Sequence, residues 1–332
     1  MQQQNLKSNW ERGQAFLGSR YAILGGAMSW LSEHRLVAAI SNAGGFGVLA
    51  TGNMPPEMLR EEIQGVRKLT DKSFGVNLIA LNPELGDLVQ ICVEEKISHC
   101  VVAGGFPDKS TMATLKEADI KIMLFAPSLA LGRRLIKRGA DALIIEGHEA
   151  GGHVGPVATS VLAQEILPHI EDVPVFVAGG IANGEMVKQL IGMGAAGCQV
   201  GTRLVCTQEC IAHENFKNLF IKSSAKDAMV TAQFDPVLPV IPVRALMNKG
   251  TEAFNALQLK LIQEVKDGAK DRKSAILELE HFWVGALKKA AIDGDVEAGS
   301  VMAGQSVGLI DKVEPVATVV EELASQVEAS IQ

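Results

Sequence analysis

Short apolar runs alternate with helical patterns along the first two hundred residues of the chain. Eight of these runs are predicted strands, covering residues 21–26, 46–50, 74–79, 99–103, 121–126, 142–145, 173–178 and 197–201. They are almost continuously apolar, as expected for strands of a parallel sheet that helices cover on both faces. The intervening patterns predict helices, for example from a candidate cap at Ser32 to Asn42, and from Pro55 to Leu69.

Eight βα units predict an α/β protein with the TIM (β/α)8 barrel fold, which typically takes ~250 residues. The alternative is a doubly wound sheet, which usually needs fewer strands and carries a phosphate-binding fingerprint after its first strand. In this chain the glycine-rich turns instead follow the first, sixth, seventh and eighth strands. The pattern therefore favours the barrel.

The pattern changes after the eighth strand, and we divide the chain into three parts. Residues 1–206 are predicted to form the barrel domain, beginning with a polar lead-in over residues 1–20. Residues 207–290 are mostly helical in pattern and predict a small appended domain that could cover the mouth of the barrel. Residues 291–332 contain a glycine-rich loop and an amphipathic helix that could return to the barrel.

Composition narrows the functional class. The chain has 332 residues, 47% of them hydrophobic, and a formal net charge of −7, so no general affinity for nucleic acid or an anionic membrane is expected. It begins without the apolar run of a signal peptide, and it has no stretch of ~18 uncharged apolar residues that could span a membrane. The five cysteines lack zinc-like spacing and are expected to be buried thiols. We therefore expect a soluble cytoplasmic protein without a metal site.

The stretch 142–155 is the strongest candidate for the chemistry. Its sequence, ALIIEGHEAGGHVG, begins as a buried strand and continues as a glycine-rich loop. His153 on this loop is a candidate general acid or base, because a histidine can exchange a proton near neutral pH. Glu146 at the strand end is a candidate ligand for hydroxyl groups or a ring N–H, and His148 shares the loop. The alternative is a structural or merely exposed histidine, which is the commoner case for a lone loop histidine.

Two further loops are candidates for anion binding. Gly179 and Gly180 follow the seventh strand, and Gly201 and Thr202 follow the eighth. In many TIM barrels these two loops, with a short helix N-terminus, hold a phosphate group. The alternative is that the glycines only form tight turns between strand and helix.

Other residues of the predicted mouth are ambiguous. Small residues at 25–27, before Met28, leave room for a flat ring, and Asn77 in the third strand could bind ring heteroatoms. A simple turn and a hydrogen-bonded core amide explain them equally well. The basic residues between 260 and 289 are expected on solvated helix faces, although an acidic carrier protein could dock there.

Taken together, these motifs resemble a known family. The segments are GGAM at 25–28, SNAGGFG at 41–47, GVN at 75–77, EAGGH at 149–153, AGGI at 178–181, GTR at 201–203 and MAGQ at 302–305. The chain resembles the nitronate monooxygenase (2-nitropropane dioxygenase-like) family, which also contains the FMN-dependent enoyl-acyl-carrier-protein reductase of bacteria and NAD(P)H:quinone reductases. The resemblance implies a TIM barrel that binds FMN non-covalently beneath a small helical domain.

The resemblance also implies roles for individual residues, with His153 as the catalytic residue. The implied cofactor-binding residues are Gly26, Ala27, Met28, Asn77, Glu146, Gly151, Gly152, Ala178, Gly179, Gly180, Gly201, Thr202 and Gln305.

Two reactions are compatible with the resemblance. The first is oxidation of alkyl nitronates or nitroalkanes with O2 to carbonyl compounds and nitrite, and we weight it modestly above the second. The second is reduction of an enoyl thioester or a quinone, with NAD(P)H as electron donor and an acyl-carrier protein as partner. A third, less favoured class is a non-catalytic flavin or sugar-phosphate binder. Whether the chain forms a homodimer is left open.

Overall fold

The computed structural model describes residues 2–52 and 54–332, so that Met1, at the start of the predicted barrel domain, lies outside the described residues. Nine strands lie within the first two hundred residues, and all but β7 belong to one parallel sheet. They are β1 (Ile23–Gly25), β2 (Gly47–Ala50), β3 (Phe74–Ile79), β4 (His99–Ala103), β5 (Lys121–Phe125), β6 (Ala142–Glu146), β7 (Gly152–His153), β8 (Val175–Ala178) and β9 (Gly197–Val200).

The parallel sheet closes into a barrel. The strand order is β1-β9-β8-β6-β5-β4-β3-β2, and a parallel bridge between Leu24 and Phe46 joins the two ends. The amide of Phe46 donates to the carbonyl of Ile23 at 2.8 Å, and that of Gly25 donates to the carbonyl of Phe46 at 2.9 Å. The predicted TIM barrel is confirmed, and its strands lie within one or two residues of the predicted bounds.

Helices surround the barrel and continue beyond it. They are α1 (Gln2–Leu17), α2 (His34–Asn42), α3 (Pro56–Leu69), α4 (Leu85–Glu94), α5 (Lys109–Glu117), α6 (Leu129–Lys137), α7 (Thr159–Ile166), α8 (Gly184–Gly192), α9 (Thr202–Val205), α10 (Glu214–Lys222), α11 (Lys249–Lys266), α12 (Arg272–Ala291) and α13 (Val316–Ile331). Among the described residues, no helix is both long enough and apolar enough to cross a bilayer.

The prediction of a polar lead-in over residues 1–20 is wrong, because most of that segment forms α1. Leu6, Trp10 and Leu17 are buried on one side of this helix, which packs against α8 and α13. The Trp10 indole also donates to Oε1 of Glu328 at 2.7 Å. Burial of these three side chains stabilises a helix whose average composition is polar.

The predicted cap at Ser32 is also wrong. Helix α2 begins one residue later, and the Glu33 side chain accepts hydrogen bonds from the amides of Arg35 and Leu36. The Ser32 hydroxyl instead donates to the carbonyl of Gly26 at 3.0 Å and accepts from the amide of Met28 at 2.9 Å. Ser32 therefore shapes the loop after β1.

A second, smaller sheet lies outside the barrel. It contains β10 (Ala228–Val230), β11 (Val243–Leu246) and β12 (Val301–Met302), and β7 pairs with β11. Segment 207–290 is thus not purely helical. Beside this sheet, α11 and α12 enclose a separate apolar cluster in which the rings of Phe254 and Trp283 lie 4.1 Å apart. The chain then returns to the barrel through α13, which packs mainly against α8.

Candidate active site

The loop after β6 lies at the carboxyl ends of the barrel strands, the face on which TIM-barrel enzymes carry their active sites. Glu146, the last residue of β6, is the register partner of Ala178, the last residue of β8. The Gly147 amide donates to the carbonyl of Ala178 at 3.0 Å. The predicted histidine loop and the first predicted anion loop are therefore neighbours.

Two backbone turns at this face can hold an anion. Gly179 and Gly180 have φ values of 95° and 74°, which favour glycine because a side chain would be strained there. Ala178 and Gln199 form the last register pair of β8 with β9, so that Gly180 and Gly201 each lie two residues beyond it. Within residues 2–52 and 54–332, the amides of Gly180 and Gly201 donate no intramolecular hydrogen bond, which leaves them free for an anion.

A network of hydrogen bonds joins these turns to the C-terminal glycine-rich loop. The hydroxyl of Thr202 accepts from the amide of Gly304 at 2.9 Å, and the Gln305 amide donates to the carbonyl of Glu149 at 2.9 Å. A Cβ atom on Gly151 would lie 2.5 Å from the nitrogen of Gly304. Residues 149–151, 202 and 304–305 therefore pack as one unit that has no room for a side chain at position 151.

Thr159, which the sequence analysis missed, fixes the other side of the loop. Its amide and hydroxyl donate to Oε2 of Glu149 at 2.8 and 2.9 Å, and its hydroxyl also lies 3.0 Å from the carbonyl oxygen of Gly179. Thr159 is the first residue of α7, where a carboxylate is favoured by the free amides of the helix start. Glu149 is thus a structural anchor of the loop.

The loop after β1 lies next to the end of β9. The Gly26 amide donates to the carbonyl of Val200 at 2.9 Å. A Cβ atom on Gly201 would lie 3.8 Å from Sδ of Met28, and Ala27, between Gly26 and Met28, is partly buried. The three predicted residues of this loop therefore border the second anion turn.

Asn77 lies farther around the barrel, on β3, and is buried. Its side-chain amide donates to the carbonyl of Val101 at 2.9 Å, and its own carbonyl accepts from the Thr51 hydroxyl at 2.6 Å. These bonds fit the interpretation of Asn77 as a core amide, and a role in ligand binding stays a prediction.

Glu146 has the most perturbed acidic side chain of the site. Burial raises the pKa of its carboxyl group to about 7, because a low-dielectric environment disfavours the charged form. Near neutral pH this carboxyl group can therefore either donate or accept a hydrogen bond.

His153 lies at the edge of the site. It belongs to β7, where it is the register partner of Val243, and Gly152, with φ 80°, is the partner of Arg244. The side chain of His153 is 42% exposed, and its Nε2 atom lies 3.4 Å from Oε2 of Glu280 on α12. The backbone of the second sheet thus holds His153, and Glu280 of the appended helix α12 lies beside its ring.

Arg244 on β11 is a second residue that the sequence analysis missed. It is buried, its Nε donates to the carbonyl of His148 at 3.1 Å, and its Nη1 donates to the carbonyl of Ala228. Burial lowers the pKa of the guanidinium group, and the Glu149 carboxylate partly offsets this effect. A single charged residue inside the apolar run at 243–246 was the one signal in the sequence.

A cavity of about 300 Å³ lies beside these residues rather than among them. It is bordered by the loop after β1, by α3 and by the end of α12, and neither His153 nor any predicted cofactor-binding residue lines it. Glu33, His34 and Glu62 form a cluster at its edge.

Comparison with known proteins identifies related sequences along nearly the whole chain. A family model described as nitronate monooxygenase matches residues 11–93 and 87–326. The structure of FabK from Thermotoga maritima has a TM-score of 0.84 and 35% identity, and the match covers 96% of each chain. A (3aS,4S,5R,7aS)-5-hydroxy-7a-methyl-1-oxo-octahydro-1H-indene-4-carboxyl-CoA dehydrogenase of Rhodococcus jostii is 31% identical over 89% of each chain. A probable nitronate monooxygenase of Staphylococcus aureus is 28% identical over 98% of this chain and 99% of the relative.

Proposed function

We propose that the chain, which belongs to the nitronate monooxygenase family, is an FMN-dependent oxidoreductase. Two of its relatives are named as a dehydrogenase and a probable monooxygenase, which are both oxidoreductases. FMN, when bound, would accept the electrons of one substrate and pass them to the next. The protein would bind the cofactor across the carboxyl ends of the barrel strands and supply His153 for proton transfer.

The observation that carries this proposal is the pair of free amides at Gly180 and Gly201, on adjacent loops at the barrel mouth. Together with the Thr202 hydroxyl they would hold the phosphate, while Gly26, Ala27 and Met28 would border the ring. Glu146 and Gly151 would lie toward the ribityl chain and the ring. Gly152, Ala178, Gly179 and Gln305 would complete the surroundings, and Asn77 would contact the ring from β3. The glycine turns, and a Glu146 carboxyl group whose pKa burial raises to about 7, fit a ligand that has an anionic end and hydroxyl groups.

Reduction of an unsaturated acyl thioester with NAD(P)H is one candidate reaction, and the similarity to FabK supports it. FabK and the carboxyl-CoA dehydrogenase are 35% and 31% identical to the chain, and the second is named for a CoA thioester. In this reaction the imidazole of His153 would donate the proton that the reduced substrate needs. Oxygen would not be required.

Oxidation of alkyl nitronates with O2 is the second candidate, and the probable nitronate monooxygenase at 28% identity supports it. Here His153 would remove a proton from a nitroalkane, or donate a hydrogen bond to the nitronate anion.

The basic residues between 260 and 289 add little support for an acyl-carrier protein as partner. Lys266 lies 2.6 Å from Asp235, Lys270 lies 2.5 Å from Glu278, and Lys289 lies 3.2 Å from Asp295. These pairs neutralise much of the positive charge that an acidic carrier would need. Free or CoA-linked substrates are therefore preferred in the test.

The test is anaerobic stopped-flow reduction of the purified protein, after it has been shown to be yellow and to release FMN on heating. Rapid bleaching by NADH or NADPH, followed by reoxidation with crotonyl-CoA, is expected for the reductase. Bleaching only by propionate 3-nitronate would favour the monooxygenase. Colourless protein that takes up no FMN would contradict both.

A further inference from the structure

The cavity of about 300 Å³ lies on the same face of the barrel as the proposed active site. Ala50 at the end of β2 and Trp30 in the loop after β1 contribute to its wall. Trp30 is two residues beyond Met28, which borders the anion turn at Gly201. The cavity and the proposed flavin site therefore share one loop.

The wall of the cavity is mainly apolar. Trp30, Ala50, Met58, Ile211 and Ile292 contribute apolar side chains to it. A methionine side chain adapts to ligands of different shape because it is unbranched and flexible. A volume near 300 Å³ is at the lower end of the range for small-molecule sites, which suits a flexible aliphatic group.

The charged residues of the wall contact other side chains of the wall. Nδ1 of His34 lies 3.0 Å from a carboxylate oxygen of both Glu33 and Glu62. The ammonium group of Lys288 lies 5.2 Å from the centre of the Trp30 ring, as in a cation–π contact. The two carboxylates of the wall, Glu33 and Glu62, are matched by two cations, Arg35 and Lys288. The wall therefore carries little net charge, and an uncharged chain fits the cavity better than a charged ligand.

Helix α12 extends from beside His153 to the cavity. Glu280, next to His153, Val284 and Lys288 are spaced four residues apart and so lie on one face of the helix. The Trp30 indole donates to the carbonyl of Val284 at 3.2 Å, and Lys288 lines the cavity. Eight residues of helix span about 12 Å, which is comparable to the length of a medium-length alkyl chain.

We propose that this cavity binds the aliphatic chain of the substrate, with the reacting end of that chain beside His153. The inference rests on the proposed function, and it applies to the acyl chain of a thioester and to the alkyl chain of a nitronate alike. In this proposal Met58 and Trp30 select substrates by chain length. The predicted cofactor-binding residues would not, because none of them lines the cavity.

The kinetic test uses a homologous series of substrates with four, eight and twelve carbons, in whichever of the two reactions is active. Met58→Trp fills the cavity, and the ratio of kcat/KM for the twelve-carbon to the four-carbon substrate is expected to fall by about tenfold or more. Met193→Trp is the matched control, because Met193 lies at the end of α8, away from the cavity, and has a similar exposure of 38% against 43%. An unchanged ratio in a folded Met58→Trp protein would overturn the proposal.

A second test does not depend on activity. The uncharged alkyl bromide 8-bromooctan-1-ol is titrated into the protein, and saturable quenching of tryptophan fluorescence is expected. The quenched emission should be absent in Trp30→Phe, since the other two tryptophans, Trp10 and Trp283, are only 0% and 4% exposed. Absence of saturable quenching would refute the cavity as a chain site.

The two tests separate the inference from the proposed function. Quenching without turnover of any substrate would leave the alkyl-binding site intact and refute the proposed function. Turnover with neither quenching nor chain-length selection would support the proposed function and refute the alkyl-binding site.

Discussion

Nε2 of His153, on β7, lies 3.4 Å from Oε2 of Glu280, on the appended helix α12. Both side chains are about two-fifths exposed, so that the contact itself contributes little to stability. Its significance is positional. The residue proposed to move a proton is held by the pairing of β7 with β11, and Glu280 of α12 lies beside its ring.

His153→Ala is expected to lower kcat by about 10²–10⁴-fold, the usual contribution of a general acid or base, without changing the FMN content. Steady-state kinetics with the preferred electron donor and the absorbance of bound flavin measure the two effects. His281→Ala, which removes an exposed histidine from the same region of α12, is the control and should retain full activity. Equal rates in the wild-type protein and His153→Ala would refute the role of His153.

Gly179→Ala is expected to weaken FMN binding at least about tenfold and to destabilise the protein by about 1–3 kcal/mol. The residue has φ 95°, and the new Cβ would lie 2.9 Å from the carbonyl oxygen of Gly147. Gly155→Ala is the matched control on the neighbouring loop, because no atom lies within 4 Å of its Cβ position. Chemical denaturation and FMN titration of the apoprotein measure the effects. Similar results for both variants would contradict a phosphate site at the turn after β8.

Thr202→Val is expected to raise the Kd for FMN by about tenfold, since it removes a hydroxyl that can hold the phosphate and accepts a hydrogen bond from the Gly304 amide at 2.9 Å. Thr202→Ser keeps the hydroxyl and should bind FMN nearly as tightly as the wild-type protein. Fluorescence titration of FMN compares the three proteins. Tight binding by the valine variant would exclude Thr202 from the phosphate site.

Glu146 is expected to make the stability of the apoprotein dependent on pH. Burial raises the pKa of its carboxyl group from 4.5 to about 7, so that between these values the folded state binds more protons than the unfolded state. This contribution to the free energy of unfolding is therefore fully present below pH 4.5 and is lost as the pH rises to 7.

Glu146→Gln removes this titration. The difference in the free energy of unfolding, variant minus wild type, should be about 2 kcal/mol larger at pH 8 than at pH 5. Urea unfolding of both apoproteins at the two pH values measures the difference. A stability difference that is the same at pH 5 and pH 8 would show that Glu146 has an ordinary pKa.

The barrel was predictable because each of its strands is buried on both faces and is therefore a continuous apolar run. Helix α1 was not, because its buried residues Leu6, Trp10 and Leu17 are spaced among polar ones, and what they pack against lies far along the chain. Local spacing placed the glycine turns at the barrel mouth. It could not predict Arg244, whose bond to the His148 carbonyl spans 96 positions, nor the cavity, whose walls come from distant segments.

The pairing of β7 with β11 has a consequence for protein engineering. His153 lies on β7, which is paired with β11 of the appended region. The appended region therefore holds the backbone of the reactive loop in place and does not only cover it. Exchanging that region for the one from a relative would have to preserve the backbone partners of Gly152 and His153. A chimera without the pairing of β7 with β11 would be expected to keep its barrel but to lose the orientation of His153.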